Sequence, residues 1–194
     1  MTYRNRIIGF TIFLILLLNM ANLVIAGEGK TFYNFKLKDY QGKEHALSDF
    51  KDSKAIVVMF IATRCPVSNA YNERMEKIYD EYKTKNIAFV GINSNKKEDE
   101  KEIAEHAKEN GLNFTILKDW NNVIADKFEA QFTPEIYVLS SDKYELLYHG
   151  RIDDSRRESD VEKKDLQQAL DEILNGKEVS VTETKAFGCT IKRI

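Results

Sequence analysis

The sequence predicts one α/β domain in which a mixed β-sheet is covered by helices on both faces. Three features lead to this prediction. Strand-like and helix-like segments alternate from residue 31 onward, without an internal repeat. Residues 55–62 form an unbroken apolar run rich in β-branched side chains, which is typical of a strand buried on both faces. Two strand-like segments, 135–139 and 144–148, flank a Ser-Asp-Lys turn and predict a closing hairpin.

The other elements are predicted from turn residues and hydrophobic periodicity. A hairpin precedes the apolar run, because residues 32–37 and 45–47 flank the turn-forming segment 39–42. One amphipathic helix follows the run, with an apolar stripe made of Val67, Tyr71, Met75, Ile78 and Tyr82. The later elements are strands at 87–92 and 114–117, helices at 97–110 and 123–128, and a last helix through Leu166, Leu170 and Ile173 that ends at Gly176.

The composition fits a single folded domain. Of the 194 residues, 43% are hydrophobic and 31% charged, which argues against wholesale disorder. The formal net charge of -2 gives no basic excess, so we expect no nucleic-acid partner. Two cysteines are too few for a disulfide scaffold or a four-thiolate metal site. We assign residues 27–176 to the domain and 177–194 to a C-terminal extension that carries Cys189 and is too short to fold alone.

The N-terminus predicts a secretory signal peptide at residues 1–26. Arg4 and Arg6 precede an uncharged, largely apolar run, and residues 24–26 offer small-residue positions for cleavage. An uncleaved membrane anchor is the alternative, because the run is long enough to span a bilayer. We therefore expect a periplasmic or secreted protein, in a compartment where disulfides persist. Membrane contact is expected only through this segment, if it is retained.

Cys65 is the leading candidate for a nucleophile. It follows the buried strand and directly precedes Pro66, a residue type that favours the first position of a helix. This order places Cys65 at a helix N-cap, where the free N–H groups of Val67 and Ser68 point toward its sulfur. Such donors, together with the helix dipole, favour the reactive thiolate. An inert cysteine in the core is the alternative interpretation.

Residues 60–71 around Cys65, followed later in the chain by Thr133-Pro134, resemble the thioredoxin superfamily. Residues 148–154 and 188–192 narrow the resemblance to a peroxiredoxin-like, redoxin-domain branch near the alkyl hydroperoxide reductase/thiol-specific antioxidant proteins. The resemblance covers roughly residues 30–194. It implies a thioredoxin-like three-layer sandwich with a mixed central sheet and an N-terminal hairpin. It also implies that Thr133-Pro134 is a cis-proline loop packed against the reactive cysteine. The backbone of Thr133 would then pair with an extended peptide substrate.

Two departures from the family patterns limit the function. The second position of the thioredoxin Cys-x-x-Cys motif is Ser68, and a hydroxyl can hydrogen-bond a thiolate but cannot expel a mixed disulfide. The positions at which peroxiredoxins carry Thr and Pro before the reactive cysteine are Ala62 and Val58 here, and Thr63 is one place too near. We therefore expect neither dithiol exchange within the motif nor efficient peroxide cleavage.

Cys189 is a candidate for the missing second thiol, and three roles for it stay open. In the first, Cys189 resolves a sulfenic acid or a mixed disulfide on Cys65. In the second, it forms a permanent bridge with Cys65, which would stabilise the fold. In the third, it is a lone thiol, or one that pairs between chains.

Arg151 is a candidate to neutralise an anion near the site, because it follows Gly150 at the end of the closing hairpin. A structural ion pair with Asp153 or Asp154 is the alternative. The mixed-sign stretch 95–102 is interpreted as a solvated helix start rather than a partner-binding surface. Trp120 and the tyrosines of the helical stripe are assigned to the core. The histidines lack metal-ligand spacing, so we expect no metal and no cofactor; they are His45, His106 and His149.

The sequence therefore predicts an exported thiol–disulfide oxidoreductase or weak thiol peroxidase. The substrate would be a protein or small-molecule disulfide or a hydroperoxide, and an external thiol would be the reductant. Cys65 and Cys189 are the expected catalytic residues, and the expected substrate-binding residues are Ser68, Thr133, Pro134 and Arg151. The alternative is a non-catalytic binding module of thioredoxin fold, which holds client thiols as mixed disulfides or binds extended peptides at Thr133.

Overall fold

The computed structural model describes residues 30–193. The predicted signal peptide, residues 1–26, lies outside the described residues. Among residues 30–193, no helix has the length and apolar character needed to cross a membrane.

A seven-stranded mixed sheet forms the middle of the domain. Its strand order is β2-β1-β5-β4-β3-β7-β8, with β3 parallel to β4 and antiparallel to β7. The strands are β1 (Lys36–Asp39), β2 (Glu44–Ala46), β3 (Ala55–Phe60), β4 (Ile87–Asn93), β5 (Thr115–Lys118), β7 (Glu135–Ser140) and β8 (Leu146–Gly150). A separate two-stranded sheet pairs β6 (Phe132–Thr133) with β9 (Cys189–Thr190). The predicted α/β class, mixed sheet and N-terminal hairpin are confirmed.

The predicted burial of β3 on both faces is confirmed, because its side chains alternate between two hydrophobic clusters. Val57 and Met59 join the cluster that contains Met75 and Leu170, whereas Val58 and Phe60 join the cluster on the opposite face. Every residue of β3 is at most 1% exposed. The carboxyl end of this central strand therefore emerges between two helix-covered layers, at the edge where α/β sheets generally bind ligands.

The helices differ from the prediction mainly at their ends. The helices are α1 (Pro66–Asn69), α2 (Asn72–Lys83), α3 (Glu100–Asn110), α4 (Val123–Phe128) and α5 (Asp165–Leu174), with 3-10 turns at Leu47–Phe50 and Glu158–Asp160. The single helix predicted from residue 67 to 82 is broken between α1 and α2. The apolar stripe did not reveal this break, because Tyr71 still faces the core and is 1% exposed.

Two structural interpretations of the sequence were wrong. Trp120 is 43% exposed rather than part of the core, and its indole N–H donates to Glu100. The stretch 95–102 is not uniformly solvated, because Asn95 and Glu98 are buried. The mixed-sign charge pattern predicts the exposure of the other residues of this stretch but not the burial of these two.

The C-terminal extension packs along the domain. Residues 182–184 hydrogen-bond to the outer edge of β8 at His149, and Ile191 is buried in the same cluster as Phe60. The extension therefore depends on the domain for its structure, and it returns the chain to the carboxyl end of β3.

A buried ion pair joins α2 to the segment after β8. The side chains of Arg74 and Asp153 are 8% and 6% exposed, and Asp153 also accepts a hydrogen bond from the Tyr71 hydroxyl at 3.0 Å. Arg74 donates in addition to the carbonyl oxygens of Ser155 and Arg156, so its guanidinium fixes the segment from residue 153 to residue 156 against α2.

Asp153→Asn should lower the free energy of unfolding by about 3–5 kcal/mol, because it leaves the buried Arg74 charge without its partner. The matched control is Glu158→Gln, which breaks an exposed ion pair with Lys77, a residue of α2 like Arg74. This change should lower the free energy of unfolding by less than about 1 kcal/mol. Urea unfolding measures both. Equal losses in the two variants would contradict a special role for the buried pair.

Candidate functional site

The predicted helix N-cap at Cys65 is confirmed. Cys65 has extended backbone angles, Pro66 occupies the first turn of α1, and the Ser68 backbone N–H donates to the Cys65 sulfur at 3.3 Å. The Ser68 hydroxyl accepts from the Ala62 N–H at 3.2 Å and is fully buried. Ser68 therefore serves the site through its backbone, while its side chain fixes the end of β3 against the helix.

The Thr133–Pro134 loop lies against this sulfur. The Thr133–Pro134 peptide is cis, and the Thr133 carbonyl oxygen is 3.4 Å from the Cys65 Sγ. Thr133 and the following Glu135 are both buried. The sequence thus brings together two segments 68 residues apart at one point beside β3.

Cys189 forms a disulfide with Cys65, and their Cα atoms are 5.9 Å apart. The unpaired tail thiol is thereby excluded, and the resolving and bridging roles stay open. Cys189 lies in β9, which pairs antiparallel with β6 so that Thr133 faces Cys189 and Phe132 faces Thr190. The Ile191 N–H continues this pairing to the Gln131 carbonyl at 2.8 Å. The chain's own tail therefore occupies the edge at which an extended peptide substrate was expected.

Gly188 allows the tail to approach this closely. A Cβ atom at this position would stand 2.1 Å from the Thr133 carbonyl oxygen and 2.7 Å from its carbonyl carbon, far inside van der Waals contact. Any residue with a side chain would force the tail away from the cis-proline loop. Gly188 was not among the predicted site residues; glycine permits such a close backbone approach because it has no Cβ atom.

The two cysteines differ in exposure. Cys65 is 4% exposed as a residue, whereas Cys189 is partly exposed. The side of the bridge nearer to solution is therefore that of Cys189. The sulfur released by attack of a thiol on Cys189 would be Cys65, which already faces the N–H donor of Ser68.

A buried carboxylate also braces the cis-proline loop. Glu135 accepts from the backbone N–H groups of Gln131 and Phe132 at 2.7 and 2.8 Å, and its other oxygen lies 2.7 Å from the His149 imidazole. Burial alone would raise the pKa of Glu135, but these donors and the Tyr137 hydroxyl bring the pKa below its usual value. The ionised side chain thus holds β6 in place beside the disulfide.

Arg151 has a partner that the sequence did not indicate. Arg151 donates to Asp165 at 2.7 Å, so its ion pair is with α5 and not with Asp153 or Asp154 as predicted. That choice follows from α5 packing against the end of β8, which periodicity does not show.

The positions where peroxiredoxins carry their peroxide-binding residues are closed. Val58 is buried within β3, Ala62 is buried just beyond its end, and the Thr63 hydroxyl is bound to Glu102. In the described part of the chain, no group of three or more His, Cys, Asp or Glu side chains is arranged to hold a metal ion.

Comparison with known proteins agrees with this geometry. Residues 29–146 match the AhpC/TSA family. The chain is 27% identical to the thiol-disulfide oxidoreductase ResA of Halalkalibacterium halodurans, over 68% of this chain and 69% of the relative.

Solved structures show the fold. A hypothetical protein from Sinorhizobium meliloti 1021 is 34% identical with a TM-score of 0.80, covering 86% of this chain and 94% of the other. A putative thiol:disulfide interchange protein DsbE from Chlorobium tepidum is 18% identical with a TM-score of 0.62, covering 76% and 97%. The fold is thioredoxin-like, as the sequence predicts.

Gly188→Ala should weaken closure of the disulfide. Overpacking of this kind costs about 1–3 kcal/mol, so the equilibrium constant for bridging in a glutathione buffer should fall by about 5- to 150-fold. The control is Thr190→Ala in the same strand, which removes only an exposed side chain and should leave the constant unchanged. Bridging in Gly188→Ala that equals wild type would show that the tail does not need this approach.

Glu135→Gln should destabilise the fold by about 1–3 kcal/mol at neutral pH, because an amide cannot accept both backbone N–H groups and the histidine. The pKa of Glu135 is lowered by folding, so its stabilisation is complete above about pH 4.5 and is lost as the pH falls through the folded-state value. Urea unfolding should therefore show the two proteins converging in acid. Glu129→Gln, at an exposed ion pair, should show no such convergence.

Proposed function

Since the chain belongs to the AhpC/TSA family, we propose that it is an extracytoplasmic thiol–disulfide oxidoreductase that cycles between a Cys65–Cys189 disulfide and the corresponding dithiol. The observation that carries this proposal is the disulfide between an N-cap cysteine and a tail strand paired with the cis-proline loop. The extracytoplasmic location rests on the signal peptide predicted at residues 1–26.

The reduced protein attacks a disulfide substrate through Cys65. The Cys65 thiolate, stabilised by the Ser68 N–H and the helix N-terminus, forms a mixed disulfide with one substrate sulfur. The other substrate sulfur leaves as a thiolate and takes a proton from solvent. Cys189 then loses its proton and attacks the Cys65 sulfur, which releases the second substrate thiolate. The substrate gains two electrons and the protein dithiol becomes a disulfide.

An external dithiol restores the reduced protein. Its thiolate attacks the sulfur of Cys189, the more exposed residue of the pair, and Cys65 leaves as the stabilised thiolate. The second thiol of the reductant then attacks the mixed disulfide on Cys189 and frees it. Cys65 thus acts as nucleophile in one half of the cycle and as leaving group in the other, and the helix terminus assists both steps.

The geometry favours disulfide exchange over peroxide reduction. The Thr63 hydroxyl is bound to Glu102, and Ala62 and Val58 offer no polar group to a peroxide. A hydroperoxide would therefore meet a thiolate without the donors that position its oxygen atoms. The name of the Halalkalibacterium relative, a thiol-disulfide oxidoreductase, supports the same reaction class.

The test uses the chain without residues 1–26, the variants Cys65→Ser and Cys189→Ser, and insulin as the disulfide substrate with dithiothreitol as the reductant. Wild type should accelerate insulin reduction, and Cys65→Ser should not. Reduced Cys189→Ser, freed of dithiothreitol and then mixed with insulin, should accumulate a mixed disulfide seen by non-reducing mass spectrometry, because the second thiol is missing. Hydrogen peroxide should be consumed slowly by all three proteins.

Two results would overturn the proposal. A bridge that resists millimolar dithiothreitol in the folded protein would make the disulfide structural. Capture of the same clients by Cys65→Ser and wild type, without turnover, would make the protein a binding module.

A further inference from the structure

A buried polar cluster connects the two segments that carry the cysteines. Its members lie at the end of β4, in the loop that follows it and at the end of β5, and are Asn93, Asn95, Glu98 and Lys118. None is more than 6% exposed. Neither the chemistry proposed above nor the family motifs give these residues a role.

Glu98 fixes the backbone just before Cys65. Its carboxylate accepts from the N–H groups of Thr63 and Arg64 at 2.8 and 3.2 Å. The side-chain amides of Asn93 and Asn95 donate to the same carboxylate at 2.6 and 2.9 Å. Four donors on one buried carboxylate leave it little freedom, so the position of the Cys65 segment follows from the position of this loop.

Asn95 fixes the backbone just after Cys189. Its side-chain oxygen accepts from the Lys192 N–H at 2.7 Å, and the Lys96 N–H donates to the Lys192 carbonyl at 2.9 Å. Lys192 stands three residues beyond Cys189 in the sequence. Asn95 thus binds Glu98 with its nitrogen and the tail with its oxygen, and a single side chain spans the two halves of the redox pair.

The orientation of the Asn95 amide is determined by its neighbours. The nitrogen must face Glu98, since a carboxylate can only accept, and the oxygen is thereby turned toward Lys192. Lys118 donates to the Asn93 side-chain oxygen at 3.0 Å and to the backbone carbonyl of Asn95 at 2.6 Å, and these two bonds tie the loop to the end of β5. The tail therefore meets an acceptor that is already oriented.

We propose that Asn95 is a positioning residue for disulfide exchange, which keeps the tail docked so that Cys189 stays within reach of Cys65. It acts by raising the effective concentration of the Cys189 thiol at the Cys65 sulfur, and so favours the intramolecular disulfide over mixed disulfides. This inference rests on the proposed function only in taking the Cys65–Cys189 pair to be reversible.

The first test is Asn95→Ala in the chain without residues 1–26. The protein is equilibrated with reduced and oxidised glutathione, in which the dithiol and one oxidised glutathione give the bridged protein and two reduced glutathiones. Mass spectrometry after acid quenching measures the ratio. The equilibrium constant should fall about tenfold, the effect expected for losing a buried hydrogen bond. In the Cys189→Ser background, Asn95→Ala should leave the pKa of the Cys65 thiol unchanged.

The matched control is Asn72→Ala, which removes a similarly buried asparagine whose side-chain amide bonds to His106 on α3. It should lower the stability but leave the glutathione equilibrium at the wild-type value. A wild-type equilibrium in Asn95→Ala, or an equal fall in Asn72→Ala, would overturn the inference.

A second pair of variants changes the tail and leaves the buried loop intact. Lys192→Pro removes the N–H that Asn95 accepts, whereas Lys192→Ala keeps it and removes only an exposed side chain. Only the proline variant should shift the equilibrium; equal behaviour of the two would contradict the proposal. No protein substrate takes part in these measurements. A protein that exchanges with glutathione but does not reduce insulin would therefore fail the proposed function and still decide the role of Asn95.

Discussion

The site depends on the antiparallel pairing of β6 with β9, in which Phe132 faces Thr190 and Thr133 faces Cys189. This pairing brings together cysteines that are separated by 124 residues in sequence. Closing a loop of this length in the unfolded chain would cost about 4–5 kcal/mol in entropy, so the bridge forms efficiently only where folding has already aligned its ends. The fold supplies that alignment through a short strand, a cis peptide and a glycine that permits contact.

The central sheet makes this alignment possible. β3 is buried on both faces, which fixes the direction in which the chain leaves it and therefore the place of Cys65. β7 runs antiparallel beside it, so the segment just before β7 must lie at the same end of the sheet. The nucleophile and the cis-proline loop meet because two neighbouring strands begin and end there. Ile191 then anchors the tail in the hydrophobic cluster on one face of the sheet.

The sequence predicted the features that depend on local order: the buried strand, the N-cap cysteine, the hairpins and most helices. It did not predict features that depend on which surfaces meet. In the sequence, Glu98 resembles any charged residue near a helix start. The N–H groups that bind its buried carboxylate belong to Thr63 and Arg64, which are 35 and 34 residues away in the chain. Arg151 was paired with its sequence neighbours, whereas its partner lies on α5. Gly188 has meaning only once the Thr133 carbonyl is known to lie against it.

The burial of Cys65 under the tail affects how the protein withstands an oxidising environment. A thiolate becomes irreversibly damaged when peroxide carries it past sulfenic acid to the sulfinic and sulfonic acids. In the bridged form the Cys65 sulfur is already bonded to Cys189 and is no longer a thiolate, and the residue as a whole is only 4% exposed. The thiolate of Cys65 is therefore open to overoxidation only in the dithiol form, and closing the bridge protects it.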